Sequence, residues 1–198
     1  MSFFTESQVR QKASETKRYK TISTEELLIE SNEKFESSDT NYDIFLSHSF
    51  KDAELILGIK EILEDEYGYS VYVDWIEDQH LERDKVTKNT AQVLKDRMNN
   101  AKSLLFVTTE NSETSKWMPW ELGYFDGVNG HVAILPIMKY DAKTEYEGQE
   151  YLGLYPYISY SKITGLKLNE NKKSTTAGRL FRDMLLSVEV AKFEDWIN

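Results

Sequence analysis

Cysteine is absent from the 198-residue chain. Disulfides, thiolate nucleophiles and cysteine-ligated metals are therefore excluded, and a reducing compartment is allowed. Histidine is scarce: His48, His80 and His131 stand far apart with no metal-ligand spacing, so no metal site is expected. Long apolar runs are missing too. The longest, Ser103–Val107 and Val132–Met138, fall well short of the roughly 20 residues a bilayer-spanning helix needs, so no membrane contact is expected. Residues Met1–Glu6 hold neither a basic segment nor an apolar stretch, so no secretory signal is read and a cytoplasmic location is expected. No basic patch offsets the net charge of −10, and an acidic surface repels phosphate backbones, which argues against nucleic-acid binding. Neither a Gly-x-Gly-x-x-Gly run nor a phosphate loop occurs, so a Rossmann or P-loop nucleotide site is unsupported and no resident cofactor is expected.

What remains is ordinary globular material, 40% apolar and 29% charged, long enough for one domain with a core. Residues 1–40 are polar and mixed in charge, and read as a helical extension. Its second helix is the better marked, with Ser23 and Glu26 as a capping box ahead of Leu27-Leu28-Ile29. The short apolar face implies docking on the main domain, residues 41–198, and the segment is also a candidate for self-association.

From Tyr42 the chain alternates. Tyr42–Ser47 is a nearly unbroken apolar strand, as expected when both faces are covered. A helix follows from Phe50 or Lys51, with Ser49 and Asp52 as a reciprocal cap, Leu55, Ile59, Ile62 and Leu63 at helical spacing, and Gly68 at its end. Val71–Trp75 is a second strand, and a charged loop runs from Ile76 to Lys85. Val86–Asn100 reads as helix, Leu104–Thr108 as a third strand and Val132–Leu135 as a fourth, closed by Pro136. Tyr157–Tyr160 reads as a fifth, edge strand, Lys162–Thr175 as loop, and Leu180–Val188 as a last amphipathic helix running on toward Trp196. Such alternation predicts a parallel sheet with helices on both faces. Right-handed crossovers bring the strands' carboxyl ends to one rim, where ligands bind. Ser47-His48-Ser49, Asp74-Trp75, Thr108–Glu110 and the helix after the third strand all converge there.

That helix is the most informative stretch. Ser115–Tyr124 reads as its opening turns, with Ser115 or Thr114 as cap and Pro119 tolerated in the first turn. Trp117 and Glu121 are four apart and share a face, and Trp120 and Tyr124 continue the stripe. A lone glutamate usually points to water. In the first two turns, however, the macrodipole favours its ionised form by roughly 0.3–1 kcal/mol. An ionised carboxylate facing an indole suits cleavage of a ribose–base bond, where positive charge builds on the sugar. The indole would stack on the base. Blander roles stand beside these: Ser49 as a cap, His48 as a loop hydrogen bond, Asp74 as a cap or partner of Arg83, and Trp75 as packing.

The order Tyr42–Phe50, Val71–Trp75, Leu104–Thr108, Ser115–Trp117 with Glu121, and Val132–Pro136 resembles a bacterial TIR domain. The layout, the N-terminal extension and Gly148–Gly153 are most similar to the TIR proteins of the Thoeris anti-phage system. The resemblance covers about 42–160. It implies a flavodoxin-like three-layer α/β/α fold with a central five-stranded parallel sheet. It also implies an enzyme consuming NAD⁺, a glycohydrolase or ADP-ribosyl cyclase, with Glu121 as the catalytic residue. Trp117, Ser47, His48, Ser49, Phe50, Asp74 and Trp75 would bind substrate. The implied product is a cyclic ADP-ribose that reaches a partner effector by diffusion, with the TIR surfaces available for self-association. Two departures stand out: Glu77–Arg83 replaces the usual proline- and glycine-containing loop, and Met118 stands where many relatives have Cys. The alternatives are a non-catalytic adaptor and a nucleoside deoxyribosyltransferase-like enzyme.

Overall fold

The computed structural model describes residues 2–18, 20–32, 41–73, 88–140, 146, 150–170 and 191–198. In chain order the elements are β1 (Phe4–Thr5), α1 (Glu6–Lys17), α2 (Thr24–Asn32), β2 (Tyr42–Ser47), α3 (Ala53–Asp65), β3 (Val71–Val73) and α4 (Lys88–Asn99). Then come β4 (Ala101–Thr108), α5 (Trp117–Val128), β5 (Val132–Met138), β6 (Tyr157–Ser161), β7 (Gly165–Asn169), β8 (Ala191–Lys192) and α6 (Phe193–Ile197). Strands β3-β2-β4-β5-β6 lie side by side and pair in parallel, which is the expected five-stranded sheet. Ile44 and Leu46 turn to the face covered by α1, α2 and α3, while Phe45 between them turns to the face covered by α4 and α5. The three layers follow from that alternation.

The sheet does not stop at β6. An antiparallel hairpin adds β7, and β8 pairs beyond it, so β6 is not an edge. The turn at Lys162–Gly165 needs a left-handed residue, and Gly165 supplies it at φ +76°. The short Leu166/Leu168 alternation after Thr164-Gly165 is the signal that a loop reading overlooks. Helix 180–188 lies outside the described residues, and it does not run on to Trp196, because Ala191–Lys192 is strand and α6 begins at Phe193.

Pro136 sits inside β5 and does not close it. The reason is the side its nitrogen faces. The Ile134 N–H bonds Pro156 O toward β6, so two residues on the nitrogen of Pro136 faces the same way. There β6 has diverged: its one register pair with β5 is Ile134–Tyr157. The missing donor falls where no ladder bond is required. β1 fills the split further on, pairing Phe4 with Ile137 and Thr5 with Met138 while Ser2 bridges Tyr160. Phe4 stacks on Tyr160 at 4.4 Å.

Both N-terminal helices carry capping boxes. Ser23 and Glu26 make the expected one, with backbone bonds of 2.7 and 3.1 Å. Thr5 and Gln8 make a second, and the Gln8 amide donates onward to Tyr160. The extension docks through Val9, Ala13, Leu27 and Leu28, all buried in the same core as α3.

Asp43 pins the start of β2. Its carboxylate accepts from the Ser70 N–H and hydroxyl at 3.0 and 2.9 Å and pairs with Lys102 at 2.9 Å. Burial alone would raise this carboxyl; the Ser70 bonds and the Lys102 ammonium outweigh it and hold the group below its ordinary range. A depressed acid contributes stability that is present above the unfolded value and is lost as pH falls through the folded one. Asp43→Asn is therefore expected to cost about 1 kcal/mol at pH 7. The gap to wild type should close below about pH 4, as urea unfolding at pH 7 and pH 3 would show.

Candidate active site

Helix α5 starts at Trp117, one to two residues later than its sequence suggests. The Met118 N–H still finds the Ser115 hydroxyl at 3.4 Å, so Ser115 serves as the cap despite lying one residue outside. Pro119 falls in the first turn, where no backbone donor is lost. Met118, Leu122 and Phe125 face the sheet. Glu121 lies on one flank of that apolar line, one turn in, and only 3% of it is exposed.

Its neighbour is the end of β2. The Ser47 hydroxyl, fully buried, donates to Glu121 Oε2 at 2.5 Å. Two residues 74 apart in sequence thus meet at the carboxyl rim. A carboxylate this buried needs such donors, because desolvation disfavours its charge. Loop residues follow at once. His48 is 9% exposed and its Nδ1 sits 3.1 Å from the Leu46 carbonyl, so that nitrogen carries the proton. Ser49 is buried, and Phe50 is 37% exposed beside them.

The expected reciprocal cap of Ser49 and Asp52 is not made. Ser49 opens a short 3₁₀ turn, Phe50–Asp52, without a side-chain bond to it. The Asp52 carboxylate is engaged elsewhere: Oδ2 accepts from the Thr109 hydroxyl and Oδ1 from the Asn111 amide, each at 2.6 Å. Two charge-assisted bonds across to another loop outcompete one to its own turn. The sequence signal was a carboxylate at a helix start, which points to capping before anything else.

Trp117 is half-buried and packs edge-on against Trp120, centroids 5.3 Å apart; Trp120 stacks on Tyr124 at 5.8 Å. The aromatic stripe thus exists as a ladder of rings, tied to α4 where the Tyr124 hydroxyl meets Asn99 at 3.1 Å. Glu110 turns outward to an exposed pair with Lys139. Asp74, Trp75 and the 76–85 loop lie outside the described residues, so of the four expected clusters three are placed and one is not.

Sequence reasoning passed over two features near the rim. Tyr146 packs on the β6 residue Tyr157, with centroids at 5.8 Å. Its hydroxyl is pushed up by burial, partly offset by a bond to Thr108 at the end of β4. A cavity of about 250 Å³ lies between Phe106, Ser115, Pro119 and Tyr151. Pro119 and Glu121 are two positions apart, about 200° around the helix, so this cavity is across the first turn from the carboxylate. A larger groove of about 460 Å³, reached by Phe4, Lys12, Tyr67 and Tyr160, touches α1 and α3 on the opposite face of the sheet. Among the described residues no helix is long and apolar enough to cross a membrane.

The family model described as TIR domain matches residues 44–175. The chain is 61% identical over 122 residues to a Bacillus cereus (strain MSX-D12) protein named "Probable 3' cyclic ADP-D-ribose synthase ThsB'", covering 62% of this chain and 63% of that protein. It is 41% identical over 86 residues to a Cytobacillus dafuensis protein named "Putative cyclic ADP-D-ribose synthase TIR2", covering 42% of this chain and 22% of that one. The chain therefore spans less than two thirds of the length of either relative.

Proposed function

The chain belongs to the TIR domain family, and on that premise we propose that it cleaves NAD⁺ at the nicotinamide–ribose bond and closes the remainder into a cyclic ADP-ribose. One observation carries the reading: a carboxylate with 3% exposure, one turn into α5, aimed at the buried Ser47 hydroxyl on the carboxyl rim. A binding module gains nothing from burying an acid there, and burial of a charge costs stability. Both relatives carry names that describe cyclic ADP-D-ribose synthases.

The chemistry needs little beyond that acid. As the bond from the ribose anomeric carbon to the pyridinium nitrogen breaks, its electron pair leaves with nicotinamide, which departs neutral. Positive charge then spreads over the sugar ring, and the Glu121 carboxylate stabilises it. A hydroxyl or ring nitrogen of the adenosine half attacks the anomeric carbon and releases a proton. The balance is NAD⁺ to cyclic ADP-ribose, nicotinamide and H⁺. Ser47 orients the carboxylate it bonds and opens the loop that meets the substrate. Trp117 meets the nicotinamide or its ribose, and His48, Ser49 and Phe50 hold the rest, with Asp74 and Trp75 contributing from beyond β3. Closure in preference to hydrolysis needs water kept out, which the ring-rich rim favours. The product diffuses to an effector protein in anti-phage defence.

Incubation with NAD⁺, with and without extract of phage-infected cells, and mass spectrometry of the products test this. The expected result is nicotinamide together with a product lighter than ADP-ribose by one water. Linear ADP-ribose alone would overturn the cyclisation. Cleavage of deoxynucleosides with NAD⁺ untouched would move the site to the deoxyribosyltransferase reading.

A further inference from the structure

Asp52 is a buried carboxylate, 5% exposed, that the chemistry above does not use. It stands at the start of α3, yet makes no side-chain bond to that helix. Both oxygens instead hold the loop after β4, through Thr109 and Asn111 at 2.6 Å each. From there the bonds run on without a break. The Asn111 N–H returns to the Thr109 hydroxyl at 3.1 Å, and the Thr109 N–H donates to Ser112 Oγ at 3.3 Å. The Ser115 N–H bonds the Ser112 carbonyl at 3.2 Å, and the Ser115 hydroxyl receives the Met118 N–H of α5. In the other direction the Asp52 N–H bonds the Ser49 carbonyl at 3.0 Å, two residues from Ser47. Ser47 meets Glu121. The path closes on itself: Glu121, Ser47, Ser49, Asp52, Thr109, Ser112, Ser115 and back through the first turn of α5.

We propose that Asp52 is a positioning residue for Glu121, clamping the loop after β4 to the loop after β2 so that α5 presents its carboxylate at a fixed distance from Ser47. The role of Glu121 itself rests on the NAD⁺-cleaving reading; the clamp rests on the hydrogen bonds alone. A carboxylate is suited to the place because it accepts from two donors at once. Asparagine turns an NH₂ toward one of them, so the Thr109 hydroxyl must rotate from donor to acceptor, and the negative charge that strengthens both bonds is gone. The hydroxyl of Thr109 is the other half of the clamp, and serine keeps it where valine does not.

The test uses the full chain with Asp52→Asn, Thr109→Val and Thr109→Ser. Two readouts are taken: nicotinamide release at varied NAD⁺, and amide hydrogen exchange along the 109–118 segment. For Asp52→Asn and Thr109→Val, kcat should fall about tenfold with KM within about twofold, since misplacement of a catalytic group costs rate and not affinity. Exchange in 109–118 should quicken while the strand interiors at 44–46 and 104–106 keep wild-type protection. Thr109→Ser should restore both. Unchanged kcat and exchange in Asp52→Asn would overturn the clamp. So would exchange that quickens through the strands as well, which marks a role in the fold at large. Glu121→Gln separates the two ideas: equal nicotinamide release by it and wild type would sink the reading of Glu121, and the exchange data would then judge the clamp by themselves.

Discussion

Replacing Glu121 with glutamine is expected to slow nicotinamide release by about a thousandfold and to leave the protein folded. The magnitude follows from charge. A carboxylate about 4 Å from a developing cation, at an effective dielectric near 20, contributes about 4 kcal/mol, and each 1.36 kcal/mol is about a factor of ten in rate. Glutamine has the same shape, and its carbonyl can accept the Ser47 hydroxyl that Glu121 accepts at 2.5 Å. It removes a buried charge, so the melting temperature should hold or rise. A loss of rate with an unchanged melt assigns the effect to the reaction. A rate within tenfold of wild type would mean that the acid is not where charge develops.

Why Glu121 was legible in the sequence, and Asp52 was not, comes down to the reach of the signals. The spacing of Trp117 and Glu121 lies within one helical turn, and the alternation of strand and helix sets which rim they meet. Both are local patterns, and the structure places them as read: the parallel pairing of the five strands, the three layers, and the α5 carboxylate at the rim where β2 ends. The Asp52 bonds join residues 57 and 59 apart. No periodicity links such positions, so a capping pattern at Ser49 and Asp52 was the natural local reading. Pro136 failed for a similar reason. Its cost depends on which neighbour its nitrogen faces, and that is decided by where β6 diverges from β5. The strand β1 was likewise invisible, since two residues carry no pattern.

Gly58→Ala is expected to destabilise the protein by about 2 kcal/mol, against what helix propensity alone would give. In an ordinary helix interior the change would gain about 1 kcal/mol. Gly58 lies in the middle of α3, and a Cβ there would sit 1.9 Å from the Val9 carbonyl oxygen and 2.8 Å from its carbon. These are backbone atoms of α1, so no rotamer change clears them; the whole helix must recede. Val9 and Ala13, both fully buried against α3, would lose their packing. The cost of such overpacking is about 1–3 kcal/mol and sometimes more, and an immovable neighbour puts this case at or beyond the upper end. Ion pairs such as Lys12–Asp65 lie at the margin of the contact and offset little, because exposed pairs contribute under about 1 kcal/mol. For a chain of this length the midpoint should drop by roughly 4–8 °C, readable by thermal or urea unfolding. A variant as stable as wild type would mean that α1 is not held this close. The close approach also predicts where the damage stops. Glu121 and Ser47 meet on the face of the sheet away from α1. Well below its melting temperature, then, Gly58→Ala should keep the wild-type KM and kcat, and in combination with Glu121→Gln the two effects should simply add.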